Sequence, residues 1–157
     1  MEESKLTHVD ASGNPSMVDV SEKPVTKRTA KAQAIVYVGP EIIKHIQGDE
    51  LITKKGPVFQ AAILAGVMGA KKTSDLIPLC HPLGLEDCQI SIRAGTAEIV
   101  ITATATLSAK TGVEMEALTA ASVAALTVYD MCKALSHEMV IREIKLLEKT
   151  GGKKDVS

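Results

Sequence analysis

Three stretches of this chain alternate between apolar and polar residues, and two others are apolar almost throughout. From Thr29 to Val38, TAKAQAIVYV places an apolar side chain at every second position and predicts a strand. Gly39-Pro40 interrupts it, and EIIKHIQ follows as a short helix. KKGPVFQAAILAGVMGAKK predicts a second helix, with Lys54 and Lys55 in the loop before it. Pro57 falls in its first turn, where a missing N–H does no harm. TSDLIPLCHPLGLEDC carries two prolines and a glycine and reads mainly as loop. CQISIRA and AEIVITATATLS alternate on either side of Gly95-Thr96 and predict a hairpin. KTGVEMEALTAASVAALTVYDMCK, residues 110–133, predicts a long Ala-rich helix, and MVIREIKLLEK a closing strand.

The order strand, helices, two strands, helix, strand is the β-α-β-β-α-β pattern of a ferredoxin-like α+β sandwich, an antiparallel sheet with helices packed on one face. Residues 1–28 are polar and turn-rich and predict an extended arm, with Met17, Val18 and Val20 able to pin it to a surface. Residues 29–150 then form one domain, and GGKKDVS, 151–157, a flexible tail. One sheet face is left open. Its outward positions, such as Val100, Thr102 and Thr104, are uncharged and suit cover by a second subunit.

Composition narrows the picture. A length of 157 residues suits one domain, which buries enough surface to fold without staples. With one Phe, two Tyr and no Trp, the core must be Ile, Val, Leu, Ala and Met, and base stacking is a poor mode of binding. A net charge of −1 gives no basic field for nucleic acid, so an anion site must be a local cluster. The three cysteines, Cys80, Cys88 and Cys132, form no CxxC and read as reduced thiols of a cytoplasmic protein. The polar, acidic start argues against a secretory signal, and no apolar stretch reaches the ~20 residues of a membrane span.

The long helix raises the chemical question. Glu114 and Glu116 lead into it, and Asp130 and Lys133 sit near its end, although charges on so apolar a helix are costly unless offset. Glu116, Thr119, Ser122, Leu126, Asp130 and Lys133 fall within about 60° of one line along it. One reading is a solvated stripe with an i,i+3 surface ion pair. The other is a helix lining a pocket, with an acid and an ammonium poised for proton transfer. His81, between Pro78 and Pro82, is either a satisfied structural residue or a titratable ring presented by a stiff loop. Cys80, His81 and Cys88 match no common zinc spacing, and there is no phosphate-binding glycine loop. Lys54, Lys55, Lys71, Lys72, Lys149, Lys153 and Lys154 read as a solvated face unless several converge with Lys133.

LTHVDASGNPSMVDVS, KKGPVFQAAILAG, DLIPLCHPL, KTGVEMEALTAASVAALTVYDMCK and LLEKTGGK together resemble the cyclic pyranopterin monophosphate synthase family, the C protein of molybdenum-cofactor biosynthesis, from Leu6 to about Lys153. The resemblance implies a ferredoxin-like subunit in a homohexamer, a trimer of dimers, with sites at subunit interfaces. It implies 3′,8-cyclo-7,8-dihydroguanosine 5′-triphosphate as substrate, and cyclic pyranopterin monophosphate and diphosphate as products. No redox cofactor and no protein-held metal are implied, although Mg2+ could accompany the triphosphate. By motif, Asp130 and Lys133 of YDMCK and Lys55 of KKGP match catalytic positions. Leu79, Cys80 and His81, with Glu114, Met115 and Glu116, match substrate-binding segments, and Arg28 and Lys149 match cations near the phosphates. Cys80 is expected to pack rather than react. Spacing alone leaves open a non-catalytic oligomer that binds a nucleotide as sensor or scaffold; it would need the cations and His81 but not Asp130 beside Lys133.

Overall fold

The structure is a computed structural model that describes residues 6–152 and 154–157. Residues 1–5 of the expected arm, and Lys153 of the tail, lie outside the described residues. The elements run β1 (Thr26–Tyr37), α1 (Pro40–Ile43), β2 (Ile46–Gln47), β3 (Glu50–Thr53), β4 (Gly56–Pro57), α2 (Val58–Lys71), α3 (Thr73–Leu76), β5 (Asp87–Ala94), β6 (Glu98–Ala109), α4 (Glu114–Cys132) and β7 (Val140–Thr150). The main sheet has the order β5-β6-β1-β7, with every neighbouring pair antiparallel. The ferredoxin-like expectation is borne out.

Alternation explains which face of the sheet is filled. Ala30, Ala32, Ala34 and Val36 of β1 pair with Ala105, Ala103, Ile101 and Ile99 of β6, and all eight are fully buried. The intervening residues, among them Lys31, Gln33, Thr102 and Thr104, are half-buried on the other face. Alanines on the sheet meet alanines on the helix: Ala117, Ala120, Ala121, Ala124 and Ala125 of α4 are also fully buried. Small side chains on both layers bring α4 close to the sheet without aromatic filler.

Glycine does the same between the helices. A Cβ at Gly66 would stand 2.9 Å from the Ala120 carbonyl oxygen, and one at Gly69 would meet Val123 Cγ2 at 2.7 Å. Neither distance is sterically tolerable, so the α2 backbone lies directly against α4, on the Ala120 carbonyl at Gly66 and on the Val123 side chain at Gly69. The expected α2 is therefore present, but Pro57 precedes its first turn and pairs with Ile52 instead.

Sequence reading missed one unit. EIIKHIQ is helical only from Pro40 to Ile43; Ile46–Gln47 instead begins a small antiparallel sheet, β2-β3-β4. Two- and four-residue strands are too short to show a period. The unit carries Glu50, whose carboxylate accepts Phe59 N–H at 2.7 Å and Gln60 N–H at 3.1 Å. No side chain within α2 caps its start, so Glu50 satisfies N-terminal donors of that helix from outside. The region read as loop before β5 also contains the single-turn α3, and β1 begins at Thr26, three residues earlier than expected.

The open sheet face is more polar than expected. Lys31–Glu148 at 3.7 Å and Arg142–Glu98 at 3.2 Å cross it, and Arg142 lies 4.8 Å from the Tyr37 ring centre. Exposed apolar side chains stand on the helical side, at Leu64 and Met68 of α2 and Leu126 of α4, and also on the sheet, at Val140 and Ile144 of β7. No helix among the described residues is long and apolar enough to cross a membrane.

Candidate functional site

α4 is the element around which the chemistry is arranged, and it has a different cluster at each end. At the C-terminal end, Lys133 Nζ lies 3.0 Å from Asp130 Oδ1, while Lys55 Nζ lies 3.0 Å from Asp130 Oδ2. Lys55 also donates to the Asp130 main-chain carbonyl at 3.1 Å. That carbonyl is among the last four of the helix, which lack partners within it. The turn between β3 and β4 delivers Lys55, with Gly56 at φ 110 where a side chain would be strained. The two ammonium groups, Lys133 foremost, hold the Asp130 carboxyl below its ordinary range.

The expected burial of this pair is corrected here. The Asp130, Lys133 and Lys55 side chains are 55%, 57% and 48% exposed, because the last turn of α4 runs past the edge of the alanine-lined core. The buried charge on the helix is Glu116, only 4% exposed. The line of polar residues thus starts inside the fold and ends outside it.

At the N-terminal end of α4, Glu114, Met115 and Glu116 border a cavity of about 330 Å³. Carboxylates suit a helix start, where the backbone N–H groups are unpaired and the dipole is positive. Burial, and to a lesser degree the charge of Glu114, push the Glu116 carboxyl above its ordinary value, against a backbone hydrogen bond that lowers it. The loop after α3 supplies Leu79, Cys80 and His81, and β1 supplies Arg28. The His81 Nε2 lies 2.6 Å from the Val18 carbonyl oxygen. A carbonyl only accepts, so Nε2 carries the proton. Burial raises the Cys80 thiol, as does Glu116, which suits the packing role expected of it.

A second hollow, of about 500 Å³, opens beside the first and shares Lys23, Arg28, Gly112 and Glu114 with it. It adds Lys149, Gly151, Gly152 and Lys154. Arg28 is braced by donating from Nε to the Ala109 carbonyl and from Nη2 to the Lys110 carbonyl, each at 3.2 Å. Lys149 Nζ sits 3.0 Å from Glu114 Oε1. Lys23, Arg28, Lys149 and Lys154 thus put four cations around one hollow, an arrangement chemically suited to a polyanion.

The structure therefore sorts the expected residues into two groups. Arg28, Leu79, Cys80, His81, Glu114, Met115 and Glu116 meet at the cavity, and Lys149 meets them next door. Lys55, Asp130 and Lys133 meet each other about 24 Å away, sixteen residues along α4. Lys54, Lys71 and Lys72 are exposed and line neither hollow. Sequence reasoning missed Thr7, His8 and Lys23 of the arm, which line the cavity. Only the arm's three apolar residues signalled that it docks.

Fold and side chains together define a ferredoxin-like α+β protein with an acid-and-histidine cavity, an adjoining cationic hollow and a separate Lys-Asp-Lys cluster. The sequence profile of the MoaC family matches residues 17–152. The chain is also 49% identical, over 157 residues, to the molybdenum cofactor biosynthesis bifunctional protein of Synechocystis sp.. That alignment takes in 97% of this chain and 45% of the relative, so the chain spans somewhat less than half of that protein's length. The chain belongs to the MoaC family.

Proposed function

We propose that this chain acts early in molybdenum cofactor biosynthesis as cyclic pyranopterin monophosphate synthase, a phosphorus–oxygen lyase. Its substrate is the 3′,8-cyclised dihydroguanosine triphosphate, and diphosphate is released. The observation that carries the reading is the Asp130 carboxylate held between two ammonium groups at 3.0 Å each. Opening the imidazole ring and closing the pyranopterin require protons delivered to one atom and withdrawn from another. Asp130, kept ionised, holds the Lys55 and Lys133 ammonium groups in place, where a substrate seated beside them would meet two positioned proton donors. Closing the cyclic phosphate breaks the bond to the leaving diphosphate, whose charge the hollow of Arg28, Lys149 and Lys154 is suited to stabilise. Mg2+ arriving with the triphosphate would belong to the substrate.

Two clusters about 24 Å apart cannot act on one reacting centre within one chain. In the proposed assembly, Lys55, Asp130 and Lys133 of one copy face the cavity of another, and the homohexamer, a trimer of dimers, repeats that pairing. The bare Leu64, Met68 and Leu126 on the helical side support an interface there. The deciding experiment incubates purified protein with the cyclised dihydroguanosine triphosphate and follows diphosphate and the cyclic product. Tight binding with neither product formed would replace the enzyme by a nucleotide-binding sensor or scaffold.

A further inference from the structure

The N-terminal arm borders the cavity, and apart from Lys23, one of the cations of the adjoining hollow, none of its residues before β1 has a role in the reaction proposed above. Thr7, His8, Val18, Val20 and Lys23 line the same 330 Å³ space as His81 and Glu116. The arm is built to present His8. Asp10 Oδ1 accepts from Ser12 N–H and Asn14 N–H, each at 2.9 Å, and Val9 pairs with Pro15 in an antiparallel bridge. The His8 carbonyl closes this small hairpin by accepting from Ser16 N–H at 2.8 Å. The hairpin is thus tied through the backbone of His8 and the side chain of Asp10, while the His8 imidazole is spent on no contact within it.

The arm reaches the body of the fold at the cavity itself. The Val18 carbonyl accepts from His81 Nε2–H, and Lys110 Nζ donates to the Ser21 carbonyl at 3.1 Å. The first of these leaves Nδ1 of a neutral His81 as an acceptor. His81 from the loop and the exposed His8 from the arm thus border one cavity that also holds two carboxylates and an arginine.

We propose that His8 is a ligand-contacting residue of this cavity and that the Asp10 hairpin is the device that positions it. The ligand class rests on the reading above: a guanosine-derived triphosphate, whose carbonyl oxygens and phosphates give a ring N–H something to bond. His8→Gln keeps the backbone ties of the hairpin and removes only the ring, so the variant folds as the wild type does. With the cyclised dihydroguanosine triphosphate it should raise KM roughly tenfold, the loss of one hydrogen bond to a charged or polar ligand, and leave kcat largely unchanged. Asp10→Ala should raise KM in the same direction, and Asp10→Asn should restore it, because an amide oxygen accepts the same two N–H groups. An unchanged KM in His8→Gln overturns the proposal.

A second measurement separates this idea from the reaction it rests on. The chain has four histidines, so nitrogen-edited NMR of the imidazoles resolves each ring. Titration of the wild type with guanosine triphosphate, used as a probe, should shift the His8 and His81 ring signals together. Movement of both supports the proposal even if the wild type shows no turnover, an outcome that would defeat the synthase reading alone. A His8 ring that stays still while His81 moves sinks the proposal and leaves the synthase reading intact.

Discussion

Lys55 and Asp130 stand 75 positions apart in the chain, and their side chains meet at 3.0 Å. The contact joins a turn of the small sheet to the last turn of α4, and Lys133 closes on the same carboxylate from the other side. All three side chains are about half exposed, so as a surface network they add little to stability. Their arrangement has to be judged by what it does to turnover.

Asp130→Asn, Lys133→Met and Lys55→Met should each lower single-turnover product formation by roughly 10²–10⁴-fold. Melting temperatures should stay close to wild type. The Asp130/Lys133 double variant should lose far less than the product of the single losses, since groups acting as one unit are not additive. Near-normal rates in the single variants, measured by rapid quench, would end the catalytic assignment.

If each working site draws one α4 end from each of two copies, inactive variants at opposite ends should rescue one another. Lys55→Met and His81→Ala, unfolded together and refolded as a mixture, should regain up to about a quarter of wild-type sites, because a mixed isologous pair rebuilds one of its two sites. A mixture no more active than its components would place each whole site within one copy.

How much of this could be read from residues alone divides along physical lines. The main sheet was legible because alternation runs through most of β1 and β6, and α4 because nine of its nineteen residues are Ala, Val or Leu and none is Gly or Pro. The β2-β3-β4 unit was not, since its strands have two to four residues and its purpose, the carboxylate of Glu50 on α2, is a contact across chain segments. Every named site residue fell in one of the clusters or the hollow. The 24 Å between the clusters was within reach: Glu114 and Asp130 lie sixteen residues apart on one helix, which sets the distance by its rise. The arm's share of the cavity was hidden, because His8 and Lys23 sit among turn residues that carry no period.

Glu50 yields the next expectation. Glu50→Ala removes the acceptor for two N–H groups at the start of α2 and should cost about 0.5–2 kcal/mol. For a chain of this size that is roughly 2–4 °C of melting temperature per kcal/mol. The same change loosens the strand that leads to Lys55, so turnover should fall as well. Calorimetry of Glu50→Ala beside Glu50→Gln tests it: the amide keeps one acceptor and should recover part of both losses.

Glu116 sets a pH dependence with a definite sign. Its folded carboxyl titrates above its ordinary value of about 4.5, so the folded state holds the proton more tightly than the unfolded chain does. Its stabilising effect is complete below that value and is lost as pH rises towards the folded one. Glu116→Gln, permanently neutral, should melt higher than wild type at neutral pH, with the gap closing at about pH 4. A gap that stays constant across this range would show that Glu116 is not the group responsible.

The cationic hollow should answer to salt. Diphosphate should compete with the triphosphate substrate, and its inhibition constant should rise with ionic strength. Lys149→Met removes one cation and leaves Glu114 without its partner, so it should weaken that inhibition by roughly tenfold. Inhibition indifferent to salt, or none, would remove the hollow from the phosphate path.

The close contact of α2 and α4 at Gly66 and Gly69 turns α4 into a spacer of fixed length. One end of it sets where a cavity lies and the other where a lysine pair lies, and the backbone contact allows no sliding between them. A single residue inserted in the middle of α4 would turn one end relative to the other by about 100° and lengthen the helix by about 1.5 Å. In the proposed assembly that error would appear twice, at two different sites on two different neighbours. The hairpin tip at Gly95–Thr96 touches neither cluster; the Gly95 N–H to Glu98 carbonyl bond at 2.8 Å closes it, and its anchorage lies one residue on, where the Ala97 carbonyl accepts from Val38 N–H and Gly39 N–H at 3.0 Å each. Length changes should therefore be tolerated at that tip and excluded from the helix, and a library of single-residue insertions scored for molybdenum cofactor production would display the contrast along the chain.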